Sequence, residues 1–356
     1  MLDMFKSWYQ RRFSDPHAVS LMIILGGAFL TLYFFGGLIT PLLVAIVLAY
    51  LLESPVARLT LWGVPRTLAV AVVLIVFAGL MILALLGLVP TIWHQITNLS
   101  ADVPKMLNDL QLYVSSLPER YPDFVQAHQI TVFTDTLREK VLALGGSVVK
   151  GSLSSLVSLA TLGVYLILVP LLLFFLLKDK DTILRSFIGV LPKNRRLAGK
   201  VSVEMNQQIS NYIRGKVIEI FIVGIASYIV FVVMGLQYAV LLGVLVGLSV
   251  LIPYIGAAAV TVPVAMVALF QWGWTPDFWW LLVAYGIVQV LDGNVLVPVL
   301  FSEAVNLHPV AIIVAVLVFG GLWGFWGVFF AIPLATLVKA VWSALVMKEA
   351  IPPVSY

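Results

Sequence analysis

The sequence predicts an all-α polytopic membrane protein with about 7–8 transmembrane helices, and three observations carry that expectation. Of its 356 residues, 62% are hydrophobic and only 11% are charged, with a mean hydropathy of +1.07. No soluble fold needs that much apolar surface. The apolar residues fall in long runs, not in the short alternating segments of a transmembrane barrel. In the C-terminal half those runs are interrupted by Gly, Pro and polar residues, the pattern of broken or re-entrant hairpins.

The N-terminal region, 1–90, divides into a basic tail and three predicted spans. The tail has no small-residue cleavage site after a short apolar core, so it reads as a retained cytoplasmic segment and not a signal peptide. Residues 19–36 and 38–52 are apolar runs separated at Gly36-Gly37, with Pro41 close behind, which predicts a tight helical hairpin. Glu53, Pro55, Arg58 and Arg66 mark a polar return, and 67–90 is a third span ending at Pro90. The 91–155 stretch is different in kind, with six acids, five bases and many Ser, Thr and Asn residues. Val103, Met106, Leu107 and Leu110 recur at helical spacing within it, as do Phe133, Leu137, Val141 and Leu144, so it should form amphipathic helices. A fourth span follows at 156–177.

Residues 178–216 hold nine Lys or Arg against three acids, and Leu197, Val201, Met205, Ile209 and Tyr212 recur one helical turn apart. Flanked by spans, this basic amphipathic segment predicts contact with anionic lipid headgroups and no role with nucleic acid, each basic residue contributing about 1 kcal/mol. The N-tail, the 53–66 loop, 178–216 and the C-terminal end carry sixteen of the 21 basic residues. If 1–52 is a hairpin, all of these fall on one side, which the positive-inside rule makes cytoplasmic; both termini are then inside and 91–155 is outside.

The transport core is expected in 217–345, ahead of a cytoplasmic tail at 346–356. A span at 217–235 carries Glu219, and the apolar arms 239–252 and 257–270 are broken by Ile252-Pro253-Tyr254-Ile255-Gly256. At 14 residues each, these arms are shorter than the roughly 20 a crossing needs. The same layout returns as a span at 279–298 and the arms 309–320 and 326–342, interrupted by GGLWGFWG. Gly256 aligns with Gly327 at an offset of 71, and Val262-Pro263-Val264-Ala265 with Ile332-Pro333-Leu334-Ala335 at 70. Two such units of odd crossing number would form an inverted repeat, a hallmark of secondary transporters. The alternative is coincidence, since Gly and Pro are common in membrane helices. Trp272, Trp274, Trp279 and Trp280 read as an interfacial aromatic belt.

The chemistry is expected at Asp292. It ends a long apolar run and is followed by Gly293, Asn294 and Pro298. A carboxylate at mid-helix costs about 2.5–3.5 kcal/mol on the insertion scale, which makes it a functional hypothesis by default. The plainer reading puts it at a helix end among headgroups or beside a neutralising partner. A proton or cation site needs a tunable carboxylate and neutral oxygen ligands. Gln289 on the same helical face, Asn294 and the carbonyls freed before Pro298 could supply them. Tyr254, beside the Pro253–Gly256 break, could contribute from the other hairpin. Arg214 is the expected partner of Glu219, a pairing that would make Glu219 structural. His308 reads as an interfacial or capping residue, with a proton relay to Glu303 as the alternative.

The chain has no cysteine, so thiolate chemistry, disulfides and cysteine metal sites are excluded. His17, His94 and His128 show no metal-ligand spacing, and neither HExxH nor a phosphate-binding Gly-Lys-Ser/Thr loop occurs. No catalytic residue, metal or cofactor is therefore expected. Three classes stay open: a secondary transporter, a permease subunit served by a separate ATPase, and a membrane scaffold that binds an envelope partner through 91–155.

Several separate blocks carry a resemblance. They are PLLVAIVLAYLLESP at 41–55, FFLLKDKD at 174–181, IRGK at 213–216, GLQYAVLLGVLVGLSVLIPYIG at 235–256, LDGNVLVPVLFSEAVNLHP at 291–309 and GGLWGFWGVFFAIPLA at 320–335. In this set and order the chain resembles the autoinducer-2 exporter family of bacterial inner-membrane proteins, and within it the PerM-type permeases. The resemblance is weakest in 91–155. It implies a homo-oligomeric transporter of the cytoplasmic membrane for a small molecule or ion. Members are linked to export of a signal molecule and to sodium/proton exchange. The family's acid-Asn-Asn pattern reads Asp292-Gly293-Asn294 here.

Overall fold

The computed structural model describes residues 16–115, 155–190, 196–301 and 307–346, and among them every regular element is helical. Backbone polar groups have no water partner inside a bilayer, and a helix satisfies them within the segment. In order the helices are α1 (Pro16–Leu61), α2 (Arg66–Ser115), α3 (Ser155–Lys178), α4 (Lys180–Val190) and α5 (Arg196–Val233). Then come α6 (Ala239–Ser249), α7 (Ile255–Trp272), α8 (Pro276–Leu291), a π-helical turn (Asp292–Leu296) and α9 (Val297–Phe301), with α10 (Pro309–Phe329) and α11 (Ala331–Val346) last. Six helices are long and apolar enough to cross a membrane, or seven if the pair Leu162–Lys178 and Lys180–Ser186, bent by 83°, counts as one span.

The expected hairpin at Gly36-Gly37 is absent, because α1 runs through it as one helix of 46 residues. Glycine alone does not turn a chain in apolar surroundings. Thr40 donates its hydroxyl to the Gly36 carbonyl at 3.0 Å, so the helix carries its own polar group across this point. The expected stop at Pro90 is also absent, since α2 continues past Pro90 and Pro104 to Ser115. Just beyond Pro90, Thr91 and Thr97 hand their hydroxyl protons to carbonyls one turn back. The basic segment and the next span are likewise continuous: α5 starts at Arg196 and enters the candidate span Asn206–Val233 without a break. Most of the expected 91–155 region, the N-tail and the C-tail lie outside the described residues.

At the α1–α2 turn, Glu53 accepts from Arg66 at 3.1 Å and from Lys180 at 2.9 Å. Arg66 also reaches the Leu177 carbonyl at 2.6 Å, which ties the α3–α4 bend to the ends of α1 and α2.

The C-terminal half is built on α5. Helix α6 lies against it at very short range, because a Cβ on Gly247 would sit 2.7 Å from the Ile220 carbonyl oxygen. Gly243 and Gly247 on α6 meet Gly224 on α5, the small-residue packing that lets membrane helices approach closely. The two broken hairpins share their local geometry. Tyr254 and Gly324, 70 positions apart in sequence, both adopt positive φ, 62° and 59°. Shortly after each break, Gly256 and Gly327 tuck under a backbone carbonyl, those of Ser249 and Phe319, where a Cβ would overlap. The arms differ in length from the two 14-residue pieces expected. α6 has 11 residues while α7 has 18, because helix resumes at Ile255, inside the expected break.

Candidate functional site

A cavity of about 540 Å³ opens where α5, the break before α7, the π turn and the starts of α10 and α11 meet. On α5 the residues Tyr212, Lys216 and Glu219 recur at helical spacing and so face one side, the cavity side. Tyr212 donates its hydroxyl to the Phe329 carbonyl at 2.9 Å and packs its ring against Phe301 and Phe329, forming the apolar floor.

Lys216 is 4% exposed, and its ammonium has three close partners. It pairs with Glu219 Oε2 at 2.8 Å, donates to the Val250 carbonyl at 2.8 Å and lies 5.3 Å from the Phe301 ring centroid. Val250 ends α6, so the ammonium sits at the negative end of that short helix. Gly215 makes room for Phe301, since a Cβ there would come within 2.7 Å of its ring.

Across the cavity, α8 ends at Leu291 and the chain widens into the π turn, in which the Val297 N–H bonds back to the Asp292 carbonyl. Pro298 follows at once and supplies no N–H, so the carbonyls before it are released from the α-helical pattern. A single π turn of this kind is often found at functional sites. Asp292 and Gln289, three residues apart, both line the cavity. Asp292 Oδ1 and Gln289 Nε2 are buried without a hydrogen-bond partner. Buried polar atoms are nearly always paired, and here an orphaned acceptor and an orphaned donor lie one turn apart.

The structure brings Asp292, Gln289, Pro298, Pro253, Tyr254 and Glu219 to this one cavity. Gly256 stays out of it, beneath the Ser249 carbonyl, where it holds the shape of the break. Asn294 also faces elsewhere, donating to the Val290 carbonyl of its own helix at 2.9 Å. His308 caps α10, its Nδ1 accepting from Val310 N–H at 3.3 Å, while Glu303 lies outside the described residues. Tyr285, one turn before Gln289, belongs to the core between α5, α7 and α8, 5.8 Å from Phe231.

Arg214 is not the partner of Glu219. It donates to the Tyr50 carbonyl at 3.4 Å and lines a separate cavity. The reason is helical rotation: a residue five positions away points about 140° aside, whereas one three positions away lies within about 60°. Lys216 therefore takes the acid. The i,i+3 spacing of Lys216 and Glu219 was the signal for it. Among the described residues, no three His, Asp or Glu side chains come together as a metal site would need.

The profile of the AI-2E family transporters matches residues 21–347 of the chain. The chain belongs to the AI-2E transporter family. It is 57% identical over 341 residues to PerM of Escherichia coli (strain K12), a protein carrying a provisional permease name, covering 96% of this chain and 97% of that one. It is 28% identical over 320 residues to the transport protein YueF, also provisionally named, of Bacillus subtilis (strain 168), covering 86% and 84%. Against the AI-2 transport protein TqsA of Escherichia coli (strain K12) the identity is 24% over 323 residues, covering 90% and 88%. The protein is thus a multi-pass membrane transporter related to bacterial permeases.

Proposed function

We propose that this AI-2E transporter is a secondary carrier of the bacterial inner membrane that exports a small polar solute with ion-gradient coupling through Asp292. The observation that carries the reading is the buried, unpartnered Asp292 Oδ1 in a cavity that already holds the Lys216–Glu219 pair. Two carboxylates and one ammonium leave the site one positive charge short. A proton on Asp292 would balance it, and so would a bound cation. The orphaned Gln289 amide donor beside it favours a solute that both accepts and donates, as a hydroxyl does. The name of TqsA as an AI-2 transport protein supports a small-solute cargo.

A Na⁺(Li⁺)/H⁺ antiporter is the second reading, favoured by the same free carboxylate oxygen. Proton flux in sealed proteoliposomes separates the two, with internal pH followed after Na⁺, Li⁺ or K⁺ is added to wild type and to Asp292→Asn. Proton movement without a cation requirement that disappears in Asp292→Asn is the expected result. Cation-dependent movement lost in the variant would instead establish antiport. Equal flux in both proteins would remove Asp292 from the coupling step. Absence of any flux, with the phenotype of a deletion strain restored by Asp292→Asn, would leave a scaffold acting through 91–155.

A further inference from the structure

The cavity that Arg214 lines lies between α1, α3, α4 and α5, apart from the site above, and holds about 670 Å³. Its two walls differ in chemistry. Ile46 and Ala49 of α1 with Leu176 and Leu177 of α3 make one of them apolar. Along α5 the other presents Asn206, Ser210 and Asn211, and Arg214, Lys180 and the Glu53 carboxylate line the cavity as well.

The charges here do not balance. Glu53 is shared between Arg66 and Lys180, so a single carboxylate already serves two cations. Arg214 adds a third, and its only hydrogen bond among the described residues is the 3.4 Å donation to the Tyr50 carbonyl. A guanidinium offers five donors in a fork that matches phosphate oxygens, and this one lines the cavity with one of them given to the Tyr50 carbonyl. Lys180 lies at the 83° elbow between α3 and α4 and Arg66 at the start of α2, while Arg214 lies eight residues past the start of the candidate span Asn206–Val233. Basic pockets between transmembrane helices near a membrane surface are suited to anionic lipid.

We infer that this cavity binds one anionic phospholipid. Arg214 and Lys180 hold the phosphate, the α5 amides and hydroxyl meet headgroup oxygens, and the apolar wall of α1 and α3 takes the first methylenes of an acyl chain. The bipolar lining distinguishes a lipid from a free phosphate ion, which would leave the apolar wall uncovered. The site joins the elbow to α5, the helix that also carries Lys216 and Glu219.

The test uses the purified full chain in a neutral detergent, with melting temperature followed while phosphatidylglycerol, phosphatidylcholine or sodium phosphate is added. Phosphatidylglycerol should give a saturable rise that phosphatidylcholine and phosphate do not. Arg214→Gln should weaken the apparent affinity about tenfold, since a charge-assisted phosphate contact is lost. Arg185, exposed on α4 and bonded to the Asp181 carbonyl, is the control, and Arg185→Gln should respond as wild type does. If Arg214→Gln does not fold, Lys180→Gln should show the same weakening, because Glu53 keeps Arg66. An equal response to phosphatidylcholine or to phosphate alone would overturn the inference. So would an equal loss in Arg185→Gln, which would reduce the effect to general surface charge.

Discussion

Lys216 and Glu219 form an ion pair along one face of α5, Nζ to Oε2 at 2.8 Å, with side chains only 5% and 3% exposed. The same ammonium holds the C-terminal end of α6 through the Val250 carbonyl. The pair therefore links the first broken hairpin to the helix on which the C-terminal half is built. Removing one partner strands a buried charge, which costs about 3–5 kcal/mol, whereas replacing both with apolar or neutral groups is often close to neutral. Lys216→Met and Glu219→Gln should each lower the unfolding midpoint strongly. The double variant should recover most of that loss. Chemical unfolding of the three proteins in one detergent measures it, and additive losses would show that the pair is not a unit.

Gly256 and Gly327 should tolerate no side chain. Each lies under a backbone carbonyl that a Cβ would overlap, whereas Gly79 has nothing within 4 Å of its Cβ position. Overpacking typically costs about 1–3 kcal/mol, and more when the obstacle is backbone and cannot rotate away. Gly256→Ala and Gly327→Ala should therefore lower expression and melting temperature, with Gly79→Ala as a near-neutral control. Unchanged melting temperatures in the first two would mean that the breaks open at little cost.

Tyr238, in the turn between the α5 span and α6, donates its hydroxyl to the Asp102 carboxylate on α2. Burial, the hydrogen bond and the charge of Asp102 push its hydroxyl from the ordinary 10.0 up to about 12. A raised folded value favours the protonated form in the fold. Its contribution is fully present below pH 10 and is lost as pH rises through about 12. The advantage of wild type over Tyr238→Phe in melting temperature should thus be constant to about pH 10 and shrink above it. An advantage that grows with pH would contradict this assignment. Solvent screening of a partly exposed group keeps the effect small.

Much of the core was legible in the sequence because its determinants are local. The run ending at Asp292 and the breakers Gly293 and Pro298 announce an interrupted helix, and Pro253–Gly256 announces another. What local pattern could not supply was rotation and continuity. Arg214 and Lys216 look alike as basic residues near Glu219, and only the angle around α5 separates them. Gly36-Gly37 and Pro90 look like stops, yet α1 and α2 run straight through them. Tyr212 and Phe301 have no polar signature in sequence, and their place at the cavity depends on packing between distant helices.

Asn294 and Gln289 make the sharpest contrast within the site. Asn294 lies inside the π turn and Gln289 three residues before it, and sequence alone gives the two amides equal standing. In the structure Asn294 spends its amide on the Val290 carbonyl and lines no part of the cavity, whereas Gln289 Nε2 is buried, unpartnered and beside Asp292. Gln289→Leu keeps the shape but removes the donor. A bound polar group would lose its partner, at about 1–3 kcal/mol or roughly tenfold or more in transport. Asn294→Ala removes only a bond within its own helix and should leave transport within about twofold. Initial rates of proton flux in proteoliposomes, normalised to reconstituted protein, decide between them. A larger loss in Asn294→Ala than in Gln289→Leu would move the binding face of the π turn to its opposite side.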